Sequence, residues 1–433
     1  MLDITPPPSD SVKKVLILAY YFPPMGLSGV QRTLKFAKYM RRHHWEPTVV
    51  TTGPVGYYAL DASLQEEAER EEIRVVRTSG DDLNAALASK GEFTQRAMPA
   101  EFLRKRLSRL ANWFLLPDSK RGWAKHAYKT AARFDLIFAS APPFSSLRAA
   151  ARLKKKFGLP FVADYRDIWC GNQFMSFPTP LHSYIHEQME YGVLREATKV
   201  VVTNRQMKER MITRYPFLRH DDVAIITQGY DHEDFYCKPA LRPNFKFRLG
   251  YAGLFYDFVS PKYFFRAFQM IVAERPDIAE DIELHFIGHL RKENLRLAKK
   301  MGLERFIHDH GYLHHSQSVA TILSCDALWM MVGRARSADT ISSGKLYEYF
   351  GAQKPLIVSV PEGALRQAAQ RYGAAIITEP DNEHQIKLAI LQLYRDFKAQ
   401  KPLSPDTEYV ERHRRDYLTE QLTKEFNFAL DHP

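Results

Sequence analysis

The sequence predicts an α/β protein with doubly wound parallel sheets, and three observations support this fold class. Short apolar runs alternate with helical segments along almost the entire chain. Most of these runs are continuously apolar, which is typical of strands covered on both faces, as in a parallel sheet. The length of 433 residues exceeds what one hydrophobic core normally organises. We therefore expect two Rossmann-like domains that face each other across a cleft.

The first domain is predicted to span residues 1–235. Between its strands lie amphipathic helical segments, such as the one in which apolar residues recur from Val30 to Met40. Arg32, Lys35 and Lys38 of that segment are expected to lie off its apolar face. The strand candidates are Val15 to Tyr20, Pro47 to Thr52, Ile73 to Arg77, Asp135 to Ser140, Phe161 to Tyr165, Lys199 to Asn204 and Val223 to Gln228.

The second domain is predicted to span residues 236–405, after a linker at Asp231 to Asn244 that has no periodicity. Residues 406–433 are expected to form a helix that crosses back onto the first domain. Because ligands of open α/β sheets bind beyond the carboxyl ends of the strands, the cleft is the predicted site. The strand candidates are Arg248 to Ala252, Glu283 to Ile287, Ile307 to Tyr312, Ala327 to Val332, Leu356 to Val360 and Ala374 to Ile377.

Composition restricts the possible partners and the compartment. The net charge of +11 favours anionic ligands such as phosphates, nucleic acid or acidic lipid. The three cysteines form no CxxC pair and the 16 histidines show no convincing ligand spacing, so neither a disulfide framework nor a metal site is expected. The N-terminus lacks the pattern of a signal peptide, and no apolar stretch approaches the roughly 18 residues of a membrane span. We expect a cytoplasmic protein, soluble or peripheral to a membrane.

The stretch "YYFPPMGLSGVQR", Tyr20 to Arg32, leaves the first strand through two spaced glycines and enters a helix. Gly26 and Gly29 would let backbone amides approach an anion, and the helix dipole would favour it. The spacing is not that of a nicotinamide-binding turn. A turn that needs glycine only for its geometry is an equally good interpretation.

The segment "GKLYEYFGAQKPLIVSV", Gly344 to Val360, resembles a second anion site. Ser343 and Gly344 open a helix whose first amides are free for a phosphate, and Lys345 adds a positive charge. Glu348, one turn further on, can accept both hydroxyls of a ribose. The alternative is an ordinary capped helix with a surface lysine and glutamate.

The chain carries, in this order, the motifs "YYFPP.G..GVQR", "SAPPFSS", "VADYRDIW", "QGYDHEDF", "GYAG", "FIG", "SCDALWM" and "SGKLYEYFGAQKPL". Together they resemble the motifs of retaining glycosyltransferases of family 4. The resemblance extends from Val15 to about Tyr394 and favours the branch that assembles bacterial polysaccharides. It implies the GT-B fold and transfer of a hexose, with retention, from a UDP or GDP sugar to a sugar hydroxyl. It implies no metal and no other cofactor.

The resemblance assigns donor-binding roles position by position. Glu348 matches the second glutamate of the family's E-x7-E motif, whereas the first falls at Thr340, next to Asp339, which is a candidate replacement. Relatives place an arginine and a lysine after "GYAG"; this chain has only Lys262 there, so Lys345 is expected to serve the leaving diphosphate as a catalytic residue. The full predicted donor set is Gly26, Gly29, Val30, Lys262, Asp339, Ser343, Gly344, Lys345, Leu346 and Glu348.

Acceptor-side and catalytic candidates lie at the ends of two strands of the first domain. "DYRDIW" offers Asp164, Arg166 and Asp167, where a carboxylate can take the acceptor's proton, although a salt-bridged loop is an equal alternative. "SAPPFSS" gives a rigid turn whose Pro143, Phe144 and Ser145 are expected to line the acceptor pocket or only to fix the loop.

The segment Phe102 to Leu116 has a leucine face flanked by basic residues, including Arg106 and Arg109. This profile fits a helix on an anionic membrane surface and equally a helix packed on its own domain. A lipid-linked sugar acceptor at the inner face of the plasma membrane would suit the first interpretation. The alternatives to the transferase are an inactive nucleotide-sugar-binding regulator, a GT-B epimerase and, least in keeping with the spread of basic residues, a nucleic-acid-binding protein.

Overall fold

The computed structural model describes residues 12–78, 92–95, 106, 113–120, 122–123, 133–175 and 177–433. The first domain is built on a seven-stranded sheet of order β4-β2-β1-β6-β7-β8-β9, in which every pairing is parallel. A short parallel pair, β3 with β5, lies beside it. The strands are β1 Lys13–Leu18, β2 Trp45–Thr52, β3 Gly56–Tyr57, β4 Arg74–Thr78, β5 Thr94–Gln95, β6 Leu136–Ala141, β7 Phe161–Tyr165, β8 Lys199–Val202 and β9 Val223–Ile225.

The second domain is built on a six-stranded parallel sheet of order β12-β11-β10-β13-β14-β15. Its strands are β10 Phe247–Ala252, β11 Ile282–Ile287, β12 Ile307–Asp309, β13 Ala327–Met331, β14 Leu356–Ser359 and β15 Ala375–Thr378. The fold class predicted from the sequence, two Rossmann-like domains of the α/β type, is therefore confirmed. The pair β3 and β5 was not predicted, because two-residue strands leave no periodic pattern.

Helices cover the sheets and supply the rest of the core. In the part of the chain that the structure describes they are α1 Ser28–Met40, α2 Ala62–Arg70, α3 Ser145–Phe157, α4 Pro180–Glu196, α5 Arg205–Arg214, α6 Lys262–Glu274, α7 Pro276–Ala279, α8 Lys292–Lys300, α9 His315–Leu323, α10 Gly344–Ala352, α11 Ala364–Tyr372, α12 Glu383–Lys398, α13 Thr407–Glu411 and α14 Arg415–Asp431. Successive residues of β1 pack into different clusters, Leu16 and Leu18 into one and Val15 and Ile17 into another. Both faces of the strand are thus buried, which explains its continuously apolar sequence.

The C-terminal helix α14 packs on the first domain. Its Leu422 and Phe426 are fully buried in the cluster formed with Val15 and Ile17 of β1. The Phe426 ring lies 5.2 Å from the Trp45 ring in an edge-on arrangement. The chain therefore returns from the second domain to the first, and the start of α14 is held near the cleft.

The basic side of α1 is buried by ion pairs. Arg32, Lys35 and Lys38 are each paired with carboxylates of neighbouring segments. Lys35 and Lys38 share Glu67 and Asp231, which together bring α2 and the interdomain segment onto α1. Burial alone would lower the pKa of Lys38, but Asp231, together with a hydrogen bond to Glu233, outweighs burial and raises the pKa above its usual value.

Gly288 follows β11, where two chain segments meet at the carboxyl edge of the second sheet. Its φ is +120°, and a Cβ there would lie 2.5 Å from the carbonyl oxygen of Gly253. We expect Gly288→Ala to lower the free energy of unfolding by roughly 3 kcal/mol, because backbone strain and overpacking add. Urea unfolding measures the change.

Gly302→Ala is the matched control for this substitution. Gly302 also has a positive φ, +71°, but a Cβ there meets nothing within 4 Å. Only the conformational cost of about 1 kcal/mol is expected at this position. Equal losses in the two variants would show that the contact with Gly253 is unimportant.

Candidate functional site

A cavity of about 390 Å³ lies between the two domains at the carboxyl ends of both sheets. Its walls come from the turn before α1, the end of β7, the loop after β10 and the start of α10, and the first residue of α14 closes it. Gly29 of the first domain and Lys345 of the second both line it. The predicted cleft is therefore present, and the two anion-binding candidates share it.

The start of α10 forms the second-domain wall. Ser343 occupies the N-cap with extended backbone and makes no side-chain cap, and an added Cβ on Gly344 would meet nothing within 4 Å. The first amides of a helix have no intrahelical acceptor. Ser343 and Gly344 thus present polar backbone and open space to the cavity, as the anion-site interpretation requires.

Lys345 lines the cavity, and its ammonium group forms no ion pair with any residue that the structure describes. Its Nζ donates to the Tyr251 hydroxyl at 2.6 Å and lies 3.8 Å from the centre of the Tyr251 ring. Burial lowers the pKa of Lys345 to about 7, against a smaller opposing effect of Glu348. Gly253 leaves room for it, since a Cβ at Gly253 would lie 2.7 Å from Nζ. A buried amine of this kind gains most from an anion.

Glu348 lines the same cavity one helical turn after Lys345. Burial raises the pKa of its carboxyl group, while the charges of His315, Arg415 and Lys345 oppose that rise. No hydrogen bond to another described residue occupies this carboxyl. It is therefore available to accept hydroxyl groups from a ligand.

A polar contact between the domains forms a further part of the cavity wall, at the start of α9. The Asp61 carboxylate of the first domain accepts from the backbone N–H of His315 at 2.8 Å. The His315 ring lies 3.0 Å from the Asp234 carboxylate, which also accepts from Lys35 at 2.8 Å. Burial alone would lower the pKa of His315, but Asp234 raises it to about 9. The imidazole is therefore cationic at neutral pH and holds the domains together.

The sequence prediction is corrected at Gly26 and Val30. The Gly26 amide donates to the carbonyl oxygen of Ala59 at 2.9 Å, and the Val30 amide donates to that of Leu27 at 3.3 Å. Neither residue lines the cavity, and the Val30 side chain is fully buried in the core. Gly26 has no room for a side chain because the Tyr312 hydroxyl packs against it. Its glycine therefore serves packing, and of the three residues predicted in this turn only Gly29 lines the cavity.

Three predicted donor residues also lie outside the cavity. Leu346 is fully buried in the core of the second domain. Lys262 begins α6, and its ammonium lies 5.3 Å from the ring of Tyr263. Asp339 forms an ion pair with Arg210 at 2.7 Å, so it does not replace the missing glutamate. Thr340 is itself buried and donates to the Ser337 carbonyl at 2.9 Å.

The "DYRDIW" residues separate into two environments. Asp164, within β7, is fully buried and accepts from Arg32 Nη2 at 2.8 Å and from Ser140 Oγ at 2.7 Å. It does not line the cavity, so the prediction of a catalytic Asp164 is corrected to a buried ion pair. Arg166 and Asp167, beyond the end of the strand, do line the cavity.

Arg166 and Asp167 differ in their partners. Arg166 donates to the Gly29 carbonyl at 2.6 Å and to that of Pro142, which ties the two turns of the first domain together. Asp167 has no hydrogen bond to the described residues. Burial raises the pKa of Asp167, and the nearby Arg166 charge opposes that rise. Asp167 is therefore the carboxyl group of this motif that can receive a proton from a ligand.

The predicted acceptor turn is corrected by one position. Phe144 stacks on the Trp169 ring at 4.8 Å, and the Ser145 amide and hydroxyl each donate to Asp118 at 2.9 Å. These contacts fix the loop, and neither residue lines the cavity; nor does Pro143. The adjacent Pro142 does.

Several cavity residues gave no signal in the sequence. Asp61, His315 and Arg415 lie far apart in the chain and in no recognisable motif, and only the folded chain brings them together. Aromatic rings at the mouth were also missed: Phe174 of the first domain lies 5.3 Å from Phe258 of the second, in parallel stacking. Exposed apolar residues within loops, such as "GLFYDFV", are the signal that could have indicated them.

Two side-chain clusters of the metal-ligating kind occur among the described residues, both outside the cavity. The carboxylates of Glu67, Asp231 and Asp234 are bound by the ammonium groups of Lys35 and Lys38. In the cluster Glu283, His285 and His308, the Glu283 carboxylate accepts from Asn244 at 2.7 Å and from Arg248 at 3.2 Å. In both clusters the carboxylates thus already accept hydrogen bonds or ion pairs from side chains of the protein.

Most of the predicted membrane helix, including Arg109, lies outside the described residues. Within it Arg106 is exposed, as are Trp113 and Phe114, the latter at 77%. No helix among the residues that the structure describes is long and apolar enough to cross a membrane.

Two facing parallel sheets with a cavity at their carboxyl ends define the GT-B class of fold. Residues 29–229 match the family model described as a glycosyl transferase 4-like domain, which supports the resemblance to glycosyltransferases of family 4. A comparison with curated proteins gave no significant match.

Solved structures of the same architecture cover nearly the whole chain. HepE of Anabaena, in complex with UDP and glucose, is 15% identical with a TM-score of 0.62, covering 96% of this chain and 99% of HepE. Sucrose-phosphate synthase of Thermosynechococcus elongatus is 13% identical with a TM-score of 0.65, covering 97% and 100%. The lipopolysaccharide outer core galactosyltransferase WaaB is 13% identical with a TM-score of 0.52, covering 96% and 99%. At these identities the likeness establishes the fold.

Proposed function

We propose that the protein is a retaining glycosyltransferase that moves a hexose from a UDP or GDP sugar to a sugar hydroxyl. The observation that carries the proposal is the convergence of Gly29, the α10 start, Lys345 and Glu348 on one cavity. A phosphate-binding helix start beside a lysine and a free carboxyl suits a nucleoside diphosphate. The UDP and glucose bound by HepE, which shares the fold, support a donor of this class.

In this proposal Glu348 binds the ribose hydroxyls and the α10 amides receive the diphosphate. Lys345 neutralises the charge that develops when the sugar–phosphate bond breaks, in place of a metal ion. Asp167 accepts the proton of the acceptor hydroxyl. For retention, the acceptor oxygen attacks the anomeric carbon from the side of the leaving group as the sugar–phosphate bond breaks; the departing phosphate oxygen accepts a hydrogen bond from the acceptor hydroxyl, whose proton then passes to Asp167.

The acceptor is proposed to be a lipid-linked sugar in exopolysaccharide or other surface-polysaccharide synthesis, with the enzyme peripheral at the cytoplasmic face of the plasma membrane. The exposed Arg106, Trp113 and Phe114 support membrane contact, because basic and aromatic side chains favour an anionic lipid interface. The galactosyltransferase WaaB, a structural neighbour, acts on the lipopolysaccharide outer core.

Glu348→Ala tests the donor site. We expect the Kd for UDP or GDP, whichever binds the wild-type protein more tightly, to rise roughly 10- to 100-fold, because hydrogen bonds from a ribose to a carboxylate are lost. Isothermal calorimetry measures it. Glu362→Ala is the control, since Glu362 is 84% exposed in the same domain and lies outside the cavity. An unchanged Kd in Glu348→Ala would remove Glu348 from the donor site.

An inactive nucleotide-sugar-binding regulator is the second candidate. Thr340 in place of the family's first glutamate favours it, because this threonine is buried and bound to Ser337 rather than turned to the cavity. Slow release of free sugar from a UDP or GDP sugar without acceptor distinguishes the two: the transferase hydrolyses its donor, whereas the regulator binds it unchanged.

A further inference from the structure

Arg415 presents a guanidinium group to the cavity without a matching anion. It is the first residue of α14, only 3% exposed, and it lines the same cavity as Lys345 and Glu348. Its Nη1 is buried and has no hydrogen-bond partner among the described residues. Its Nη2 reaches only the Gln228 side chain at 3.5 Å, the limit of a hydrogen bond. A buried guanidinium in this state lacks a ligand.

The surrounding carboxylates are already committed to other cations. Asp164 binds Arg32 through both oxygens, and Asp231 accepts from Lys38 at 2.8 Å. Burial and then the Arg32 charge lower the pKa of Arg415 to about 9, while Glu348, Asp231 and Asp164 oppose this. Glu348 is the only one of these three carboxylates that lines the cavity.

The position of Arg415 relative to the donor site indicates which anion it would bind. Arg415, Lys345 and Glu348 line the same cavity, and the charges of both cations oppose the rise in the pKa of the Glu348 carboxyl group. A diphosphate carries two negative charges, and four cationic side chains line the cavity. His315 is paired with Asp234, and the Arg166 guanidinium donates to the carbonyls of Gly29 and Pro142. Lys345 and Arg415 therefore have donors left for the two phosphates.

We propose that Arg415 binds the diphosphate of the donor, so that α14, not the loop after β10, supplies the arginine of this site. The proposal rests on the proposed function. The planar fork of a guanidinium matches phosphate oxygens, and a bound phosphate would satisfy Nη1. The C-terminal helix thereby takes part in substrate binding, in addition to packing on the first domain.

Calorimetry with three probes tests the proposal: UDP, uridine and inorganic pyrophosphate, with GDP and guanosine run in parallel. In Arg415→Gln we expect the Kd for the diphosphate to rise roughly 10- to 100-fold, pyrophosphate binding to be lost, and the Kd for the nucleoside to stay within about twofold. Arg415→Lys, which keeps the charge but not the fork, is expected to lie between Arg415→Gln and wild type.

Arg414→Gln is the matched control, because Arg414 is paired with Asp416 at 2.7 Å and lies outside the cavity. It should leave all three affinities unchanged. Nucleoside binding also reports folding: a merely structural Arg415 would weaken diphosphate and nucleoside together. If Arg415→Gln does not fold, Arg415→Lys is measured instead. A Kd for the diphosphate that rises more than the Kd for the nucleoside then supports phosphate binding by Arg415, and parallel rises support a structural role.

The outcomes separate the two proposals. Diphosphate affinity that is unchanged in Arg415→Gln, or that falls only in parallel with nucleoside affinity, overturns the role of Arg415 and leaves the proposed function standing. A wild-type protein that binds pyrophosphate, but neither UDP nor GDP, rejects the donor and supports the anion site if Arg415→Gln loses pyrophosphate. A wild-type protein that binds none of the probes overturns both.

Discussion

Lys345→Met is expected to lower kcat roughly 100- to 1000-fold, because the lysine stabilises charge that develops only in the transition state. The thermal midpoint should not fall, since the substitution removes a partly buried, desolvated ammonium that has no acidic partner among the described residues. Donor turnover and thermal melting measure the two effects. Lys354→Met is the control, because Lys354 follows the same helix but lies outside the cavity. Near-normal turnover in Lys345→Met would show that another group serves the leaving diphosphate.

The same lysine predicts a pH dependence of binding. With its pKa lowered to about 7, Lys345 is cationic below that pH and loses its charge as the pH rises through it. A bound diphosphate favours the protonated form, so at pH 8 UDP binding should take up close to one proton. The phosphates of UDP are already ionised at that pH. Calorimetry in buffers of different ionisation enthalpy measures the uptake, which Lys345→Met should abolish.

The fold and half of the donor site were predictable because their signals are local. A continuously apolar strand indicates burial on both faces wherever it lies in the chain. The segment from Ser343 to Glu348 carries a helix start, a cation and a carboxyl within two turns, so one helix fixes their geometry. No such continuity links Asp61 to His315 or Glu348 to Arg415. These residues come to line one cavity only when the segment Asp231 to Asn244 and α14 bring the domains together. No local sequence pattern indicates that arrangement.

The two glycines at the start of α1 show a related limit. Both fit the pattern of an anion-binding turn, but Gly26 is required for the close packing of Tyr312, and only Gly29 lines the cavity. A glycine in the sequence indicates that a side chain cannot be accommodated at such a position. It does not indicate whether a ligand or another part of the protein occupies the space.

Asp164 and Asp167 lie three residues apart, and the structure predicts opposite consequences for replacing them. Asp164→Asn should lower the free energy of unfolding by about 3 to 5 kcal/mol, because it leaves the buried Arg32 without its counter-charge. Turnover per folded molecule should be retained. Asp167→Asn should leave stability nearly unchanged and lower kcat roughly 100-fold or more, because a neutral amide cannot receive the acceptor's proton.

Urea unfolding and turnover, measured on the same preparations, separate the two roles. Arg32→Met combined with Asp164→Leu should regain much of the stability lost in Asp164→Asn, since a buried ion pair replaced as a unit leaves no unpaired charge. The difference follows from strand geometry: Asp164 lies inside β7, where α1 covers it with Arg32, whereas Asp167 lies beyond the strand, where the cavity opens. A large loss of turnover in Asp164→Asn without loss of stability would reverse the two assignments and place the proton acceptor inside the strand.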